Sequence, residues 1–182
     1  MARLAFTTFG VLYEPRSHPR SKGFAERSPS VNKLAEACDG FIARNVLDYK
    51  TLRNSWGEPV RPSFVPPGRE ENIAQTISLW VDLESVYAFS YSAPLHSEAM
   101  RMRSDWFHTP DHPTYAAWWV ADDHQPGFLE AAKALETLHA NGPTSEVFNF
   151  KQPFDADGRS ARLDPALVKA KAALNASAWA QA

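Results

Sequence analysis

Residues 95–120, LHSEAMRMRSDWFHTPDHPTYAAWWV, decide how this chain folds, because a helical stripe, a proline-bounded loop and a strand follow one another in a single run. His96, Met100, Arg103 and Phe107 fall at i, i+4, i+7 and i+11, the spacing that stacks side chains on one face of an α-helix. Glu98, Met102 and Asp105 take the opposite face. Pro94 removes a backbone donor and clashes with the preceding turn, so residues 84–107 are expected to form a short helix, a break, and then the helix bearing the stripe. After Pro110 and Pro113, residues 114–120 read as a strand.

Upstream, residues 4–11 read as a first strand, with Leu4 and Phe6 alternating against Ala5 and Thr7. Ser28 and Pro29 offer an N-cap and a first helical residue, and Val31, Leu34, Ala35 and Cys38 recur at helical spacing until Asp39 and Gly40 stop them. Residues 41–46 and 73–81 read as the second and third strands. Between them, residues 51–71 hold Pro59, Pro62, Pro66, Pro67, Gly57 and Gly68, which predicts a long irregular connection whose Trp56 and Phe64 could close as a mobile flap over a ligand.

The predicted order is βαββαβ, an α+β chain of the ferredoxin-like type, with a four-stranded antiparallel sheet and two helices on one face. The other sheet face is left to find a partner. Residues 127–140 add a third helix, with Phe128, Ala131, Ala132, Leu135 and Leu138 in register and a stop at Asn141, Gly142 and Pro143. Residues 155–162 read as a polar linker, and 165–179 as an alanine-rich helix whose apolar positions, Leu167, Ala170 and Leu174, form a thin stripe. The expected division is therefore one domain over residues 1–154, then a linker and C-terminal helical extension over 155–182.

Composition narrows the function classes. At 182 residues and 44% hydrophobic content the chain suits one domain, since a chain of this length buries roughly 70% of its unfolded surface. Basic and acidic residues balance, 19 against 21, and no Lys/Arg block marks a nucleic-acid surface. Cys38 is alone, which rules out an intrachain disulfide and cysteine-based zinc clusters and predicts a cytoplasmic setting. The first residues break their apolar run at Thr7, Thr8 and Gly10, so they read as a strand rather than a signal peptide, and no run approaches the roughly 20 residues of a membrane span. Aromatic residues make up 12% of the chain, enough to fill a core or to line a pocket for a flat or apolar ligand.

His96 and Arg103 are the candidate catalytic pair. An imidazole titrates near neutrality and can serve as general base, and a guanidinium can clamp a carboxylate or an enolate-like oxyanion. Each also has a structural reading, His96 as a hydrogen-bonded residue closing the turn after Pro94 and Arg103 as half of a salt bridge to Asp105 or Glu84. Met100, Trp106, Phe107, Trp80, Trp118 and Trp56 are the candidate substrate-binding residues. Trp118 and Trp119 are adjacent on a strand and point to opposite faces, so only one of them can line a pocket. His108, Asp111 and His112 carry nitrogen and oxygen donors in one loop, but without a fixed ligand spacing they predict no metal site. Neither a G-x-S-x-G elbow nor a phosphate-binding glycine loop occurs.

Gly40-Phe41, Ser78-Leu79-Trp80, His96 through Met100, Arg103, Trp106-Phe107 and Trp118-Trp119-Val120 together resemble the family catalogued as domain of unknown function 3291. Glu130-Ala131, Leu135, Gly142-Pro143-Thr144, Phe148 and Phe150 fit the same pattern, so the resemblance spans roughly residues 2–154. Residues 54–69 run longer than that pattern, the loop 108–113 is richer in histidine, and the helix after Asp155 is an extension. The resemblance implies the dimeric α/β-barrel superfamily that includes antibiotic-biosynthesis monooxygenases: a homodimer paired through its sheets, with a pocket between sheet and helices in each subunit. The function it implies is an enzyme of secondary metabolism acting on a hydrophobic or aromatic substrate, a cofactor-independent monooxygenase first. A cyclase or isomerase, a haem protein with His96 as axial ligand, and a non-enzymatic binding protein are the alternatives.

Overall fold

The computed structural model describes residues 2–48, 50–51, 53–93, 98 and 101–180. The chain runs β1 (Arg3–Val11), a 3-10 turn (Pro19–Ser21), α1 (Lys22–Glu36), β2 (Phe41–Arg44), β3 (Leu47–Asp48), β4 (Arg53–Asn54) and β5 (Ile73–Trp80). It continues through α2 (Leu83–Ser92), α3 (Arg103–Trp106), β6 (Tyr115–Val120), α4 (Phe128–Asn141) and α5 (Pro165–Trp179). Four strands form one sheet in the order β2-β5-β1-β6, with every neighbouring pair antiparallel. The result is a mixed α+β protein in which β1 lies at the centre because its residues are apolar on both faces.

Alternation along the strands divides the interior into two layers. Leu4, Phe6, Trp80 and Ala117 face Ala35 of α1 and Cys38 just after it, Leu83, Val86 and Phe89 of α2, and Phe148. Ala5, Phe9, Ile77, Leu79, Ala116 and Trp118 face the opposite way, against Phe128, Ala131, Leu135 and Leu138 of α4 and against Trp56 and Val65. The face that periodicity leaves for a partner is therefore filled from within the chain. Gly142 ends α4 at φ 70°, a conformation that favours glycine, and its N–H closes on Leu138 O at 3.1 Å.

Three elements differ from the sequence-based expectation. α1 begins at Lys22 and carries Pro29 inside it, not at its start. The 3-10 turn at Pro19, capped where His18 Nδ1 accepts from Arg20 N–H at 3.2 Å, launches the helix early. Packing of Phe24 on Trp106 and Phe107 then holds the first turns against the missing donor at Pro29.

Trp56 and Phe64, expected in a flap over a ligand, pack instead on the main core. Arg53 and Asn54 pair with Leu47 and Asp48, Asn45 Oδ1 accepts from Trp56 N–H at 3.1 Å, and Trp56 and Val65 are buried in the main core.

α5 has the expected bounds but docks by a different face. Leu167 and Leu174 are exposed, while Lys171, Asn175 and Trp179 face α1, α2 and the turn at Asp39. Among the described residues no helix is long and apolar enough to cross a membrane.

Candidate functional site

The helix-side face of the sheet is apolar at both ends and polar between them. At one end Trp80, Leu4 and Trp119 sit across from one another on β5, β1 and β6, and the next row is Ser78, Phe6 and Ala117. At the other end Ala74 and Gly10 are opposed, joining the cluster of Leu12, Trp106, Phe24, Met102 and Phe107. The row between them is Thr76, Thr8 and Tyr115. Thr76 is exposed there, beyond the end of β2, although it lies on the face that α1 and α2 cover elsewhere. The floor of the candidate cleft is thus made of hydroxyls, with Thr8 Oγ1 and Thr76 Oγ1 2.6 Å apart.

Aromatic rings form one wall. Phe150 lies 5.0 Å from Tyr115, 5.5 Å from Phe6 and 5.2 Å from Tyr87, and Tyr87 lies 4.4 Å from Tyr91. Burial pushes the Tyr115 phenol above its ordinary value, with Tyr91 and Tyr87 adding to the shift against a backbone hydrogen bond from Phe150. Burial likewise raises Tyr91, with Tyr87 second. Both phenols therefore stay protonated at neutral pH and can donate. Two solvent-open hollows adjoin this wall, one of about 370 Å³ bordered by Phe150, Phe154 and Arg162, the other of about 400 Å³ bordered by Tyr87, Val168 and Lys169.

The opposite wall is set by a close approach. A Cβ on Gly10 would meet the Phe107 ring at 2.6 Å, so only glycine lets that ring lie on β1. Arg103 is one turn before Phe107, whose N–H donates to Arg103 O at 2.9 Å. Its guanidinium is half-buried, burial lowers its proton affinity, and among the described residues no carboxylate pairs with it. Arg27 of α1 stands nearby, 5.8 Å from the Trp106 ring, and pairs with Glu98 at 3.5 Å.

The predicted lining residues are not all brought together. Trp106 and Phe107 border the cleft. Trp80 is buried at the far end between the rings of Phe41 and Phe89, its indole N–H donating to Ser78 Oγ at 2.8 Å. Trp118 and Trp56 belong to the core beneath the other sheet face, where Trp118 Nε1 donates to Glu130 Oε1 at 2.6 Å. His96 and Met100 lie outside the described residues. His108 packs on Tyr13 and His112 on Phe9 and Phe64, so the two histidines of that loop have different neighbours. Among the described residues no group of three His, Cys, Asp or Glu side chains is placed to hold a metal ion. Cys38 is buried beside α1, and burial first, then Asp39, pushes its thiol up to about 12 against a hydrogen bond with Trp179.

The domain of unknown function DUF3291 matches residues 3–164. The chain belongs to that family. Its match ends just before α5, so the cleft lies wholly within the DUF3291 span and the docked C-terminal helix lies outside it. No curated protein matches the chain. Among solved structures, a protein of unknown function from Nitrosomonas europaea is similar at 15% identity and a TM-score of 0.43, over 70% of this chain and 97% of that one.

Within this DUF3291 chain, Thr8, Thr76, Tyr87, Tyr91 and Tyr115 are the site residues that sequence periodicity misses. The available signal was parity. Leu4 and Phe6 set the helix-side positions of β1, and Thr8 is the next, a hydroxyl where the pattern calls for another apolar residue.

Proposed function

We propose that this protein binds a hydrophobic or aromatic small molecule in the cleft between the helix-side sheet face and its helices, and that it acts on that molecule as an enzyme. The observation that carries the reading is a row of hydroxyls, exposed Thr76 and half-buried Thr8 and Tyr115, between two apolar clusters. A folded core has no use for a polar gap there, whereas a ligand site needs a few directed polar groups among aromatic walls. The proposal includes the ferredoxin-like class and its dimeric α/β-barrel superfamily, supported by the strand order and by two helical crossovers on one face. A homodimer is proposed as well, but α4 fills the sheet face through which a dimeric α/β barrel would close, so the superfamily is proposed on strand order and crossovers alone and the seam lies elsewhere.

The reaction class proposed is cofactor-independent oxygenation of an activated phenol or carbon acid. His96 would take the proton, Arg103 and Tyr115 would hold the oxyanion, and the rings would exclude water. A panel of aromatic polyketides tests it by oxygen uptake, with His96→Ala expected to retain binding and lose turnover. Full activity in that variant would remove His96 from the mechanism. A non-enzymatic binding protein is the second reading, favoured by one observation: the described lining offers hydroxyls and rings but no free carboxylate or imidazole to act as base. Tight binding without product across the panel would favour it.

A further inference from the structure

We infer that the hollow between residues 150–154 and 160–163 is a second small-molecule site, one that takes a phosphomonoester with an aromatic body. The inference is independent of the cleft and stands whether or not the cleft holds a ligand.

The walls are fixed before any ligand arrives. Pro153 O accepts from Ala161 N–H at 2.9 Å, Phe154 and Ser160 form an antiparallel bridge, and Asp155 N–H donates to Arg159 O at 2.9 Å, so the two segments are held against each other. Trp119 Nε1 donates to Phe154 O at 2.8 Å and ties the pair to β6. The hollow they border measures about 370 Å³, within the range of small-molecule sites.

Charge names the ligand. Lys151 and Arg162 line the hollow, with Gln152 and Ser160 as further donors, and no carboxylate lines it. The acids nearest in sequence are engaged elsewhere. Asp155 accepts from Asp157 N–H and Arg159 N–H, Asp157 pairs with Arg159 at 3.0 Å, and Asp164 caps α5 by accepting from Ala166 N–H and Leu167 N–H. Among the described residues neither Lys151 nor Arg162 has a carboxylate partner. Two uncompensated cations therefore share one hollow in a chain whose formal net charge is -2. They match a phosphomonoester, which is close to a dianion at neutral pH; arginine takes its oxygens in parallel and lysine meets them as a point charge. Half-buried Phe150 and Phe154, with Pro143 and Pro153, supply flat apolar surface that an inorganic ion would leave unused and an aromatic ring would cover.

The test is calorimetric titration of the full chain with phenyl phosphate, inorganic phosphate and benzyl alcohol at low, fixed ionic strength. Phenyl phosphate is expected to bind about tenfold more tightly than inorganic phosphate, the gain from burying part of a ring, and about tenfold more tightly than benzyl alcohol, the gain from two partly exposed charge pairs. Arg162→Gln and Lys151→Gln should each weaken phenyl phosphate by about threefold while leaving benzyl alcohol within about twofold. Lys133→Gln, at an exposed position of α4, should leave all three unchanged, and melting curves establish that each variant folds. Phenyl phosphate affinity that survives both substitutions at the hollow, or falls equally in Lys133→Gln, would overturn the site. Inorganic phosphate binding as tightly as phenyl phosphate would overturn the aromatic body.

Discussion

Lys171 Nζ lies 2.7 Å from the Asp39 carboxylate and 3.3 Å from that of Asp82, so one buried ammonium on α5 joins the turn after α1 to the start of α2. Asp82 is also the N-cap of α2, its other oxygen accepting from Ser85 N–H and Ser85 Oγ at 2.7 Å each. The two turns meet closely enough that a Cβ on Gly40, at φ 76°, would lie 2.0 Å from Ser85 Oγ. Asn175 completes the junction by accepting from Asp39 N–H at 2.8 Å.

Replacing Lys171 by Ala should therefore cost about 2 kcal/mol, the range for hydrogen bonds to charged groups, because the two aspartates keep some solvent access and rehydrate. Burial alone would pull the lysine down, but Asp39 and Asp82 outweigh it and raise its proton affinity above the ordinary value. Its stabilisation is then fully present below a pH of about 10.4, the unfolded value, and is lost as pH rises through the higher folded one. Urea unfolding at pH 7 and again in strong alkali measures both effects. A variant as stable as the parent at pH 7 would show that α5 docks by its apolar contacts alone.

Gly10→Ala should destabilise the protein by about 1–3 kcal/mol, the usual cost of forcing a methyl into a filled space. Its Cβ must displace the Phe107 ring from 2.6 Å, and Phe107 carries Arg103 with it through the hydrogen bond between their backbones. Thermal melting checks this, and an unchanged melting temperature would mean that the Phe107 ring moves aside freely.

The strands were legible because alternation is a local property. Tyr115–Val120 and Ile73–Trp80 appear within one residue of where periodicity puts them. α5 was legible in its bounds, set by Asp164 and Pro165, but not in its docking. Leu167 and Leu174 attract the eye in a sequence, yet a lysine can be buried if two carboxylates meet it, and those lie 89 and 132 residues away in the chain. The same limit hid the site. Trp56 and Trp118 look like pocket aromatics until register assigns them to the face beneath α4. Tyr115 and Thr76 gain meaning only when β1 places Thr8 between them.

Cys38 should resist alkylation in the native protein. Its thiol is buried and raised to about 12, so almost no thiolate exists at pH 8. Iodoacetamide labelling followed by mass spectrometry should show modification only after unfolding, or in Trp179→Ala, which strips the α5 contact at Leu34 O. Rapid labelling of the folded parent would mean that α5 undocks readily.

Tyr115 should titrate late because it is buried against the rings of Phe150 and Phe6. Tyr91 and Tyr115 are held above the ordinary phenol value, burial being the main cause for each. Absorbance of the tyrosinate should therefore show part of the signal appearing above a pH of about 10, and Tyr115→Phe should lose a share of that late component. A late component undiminished in Tyr115→Phe would assign it to another tyrosine and mean that the Tyr115 phenol is open to water.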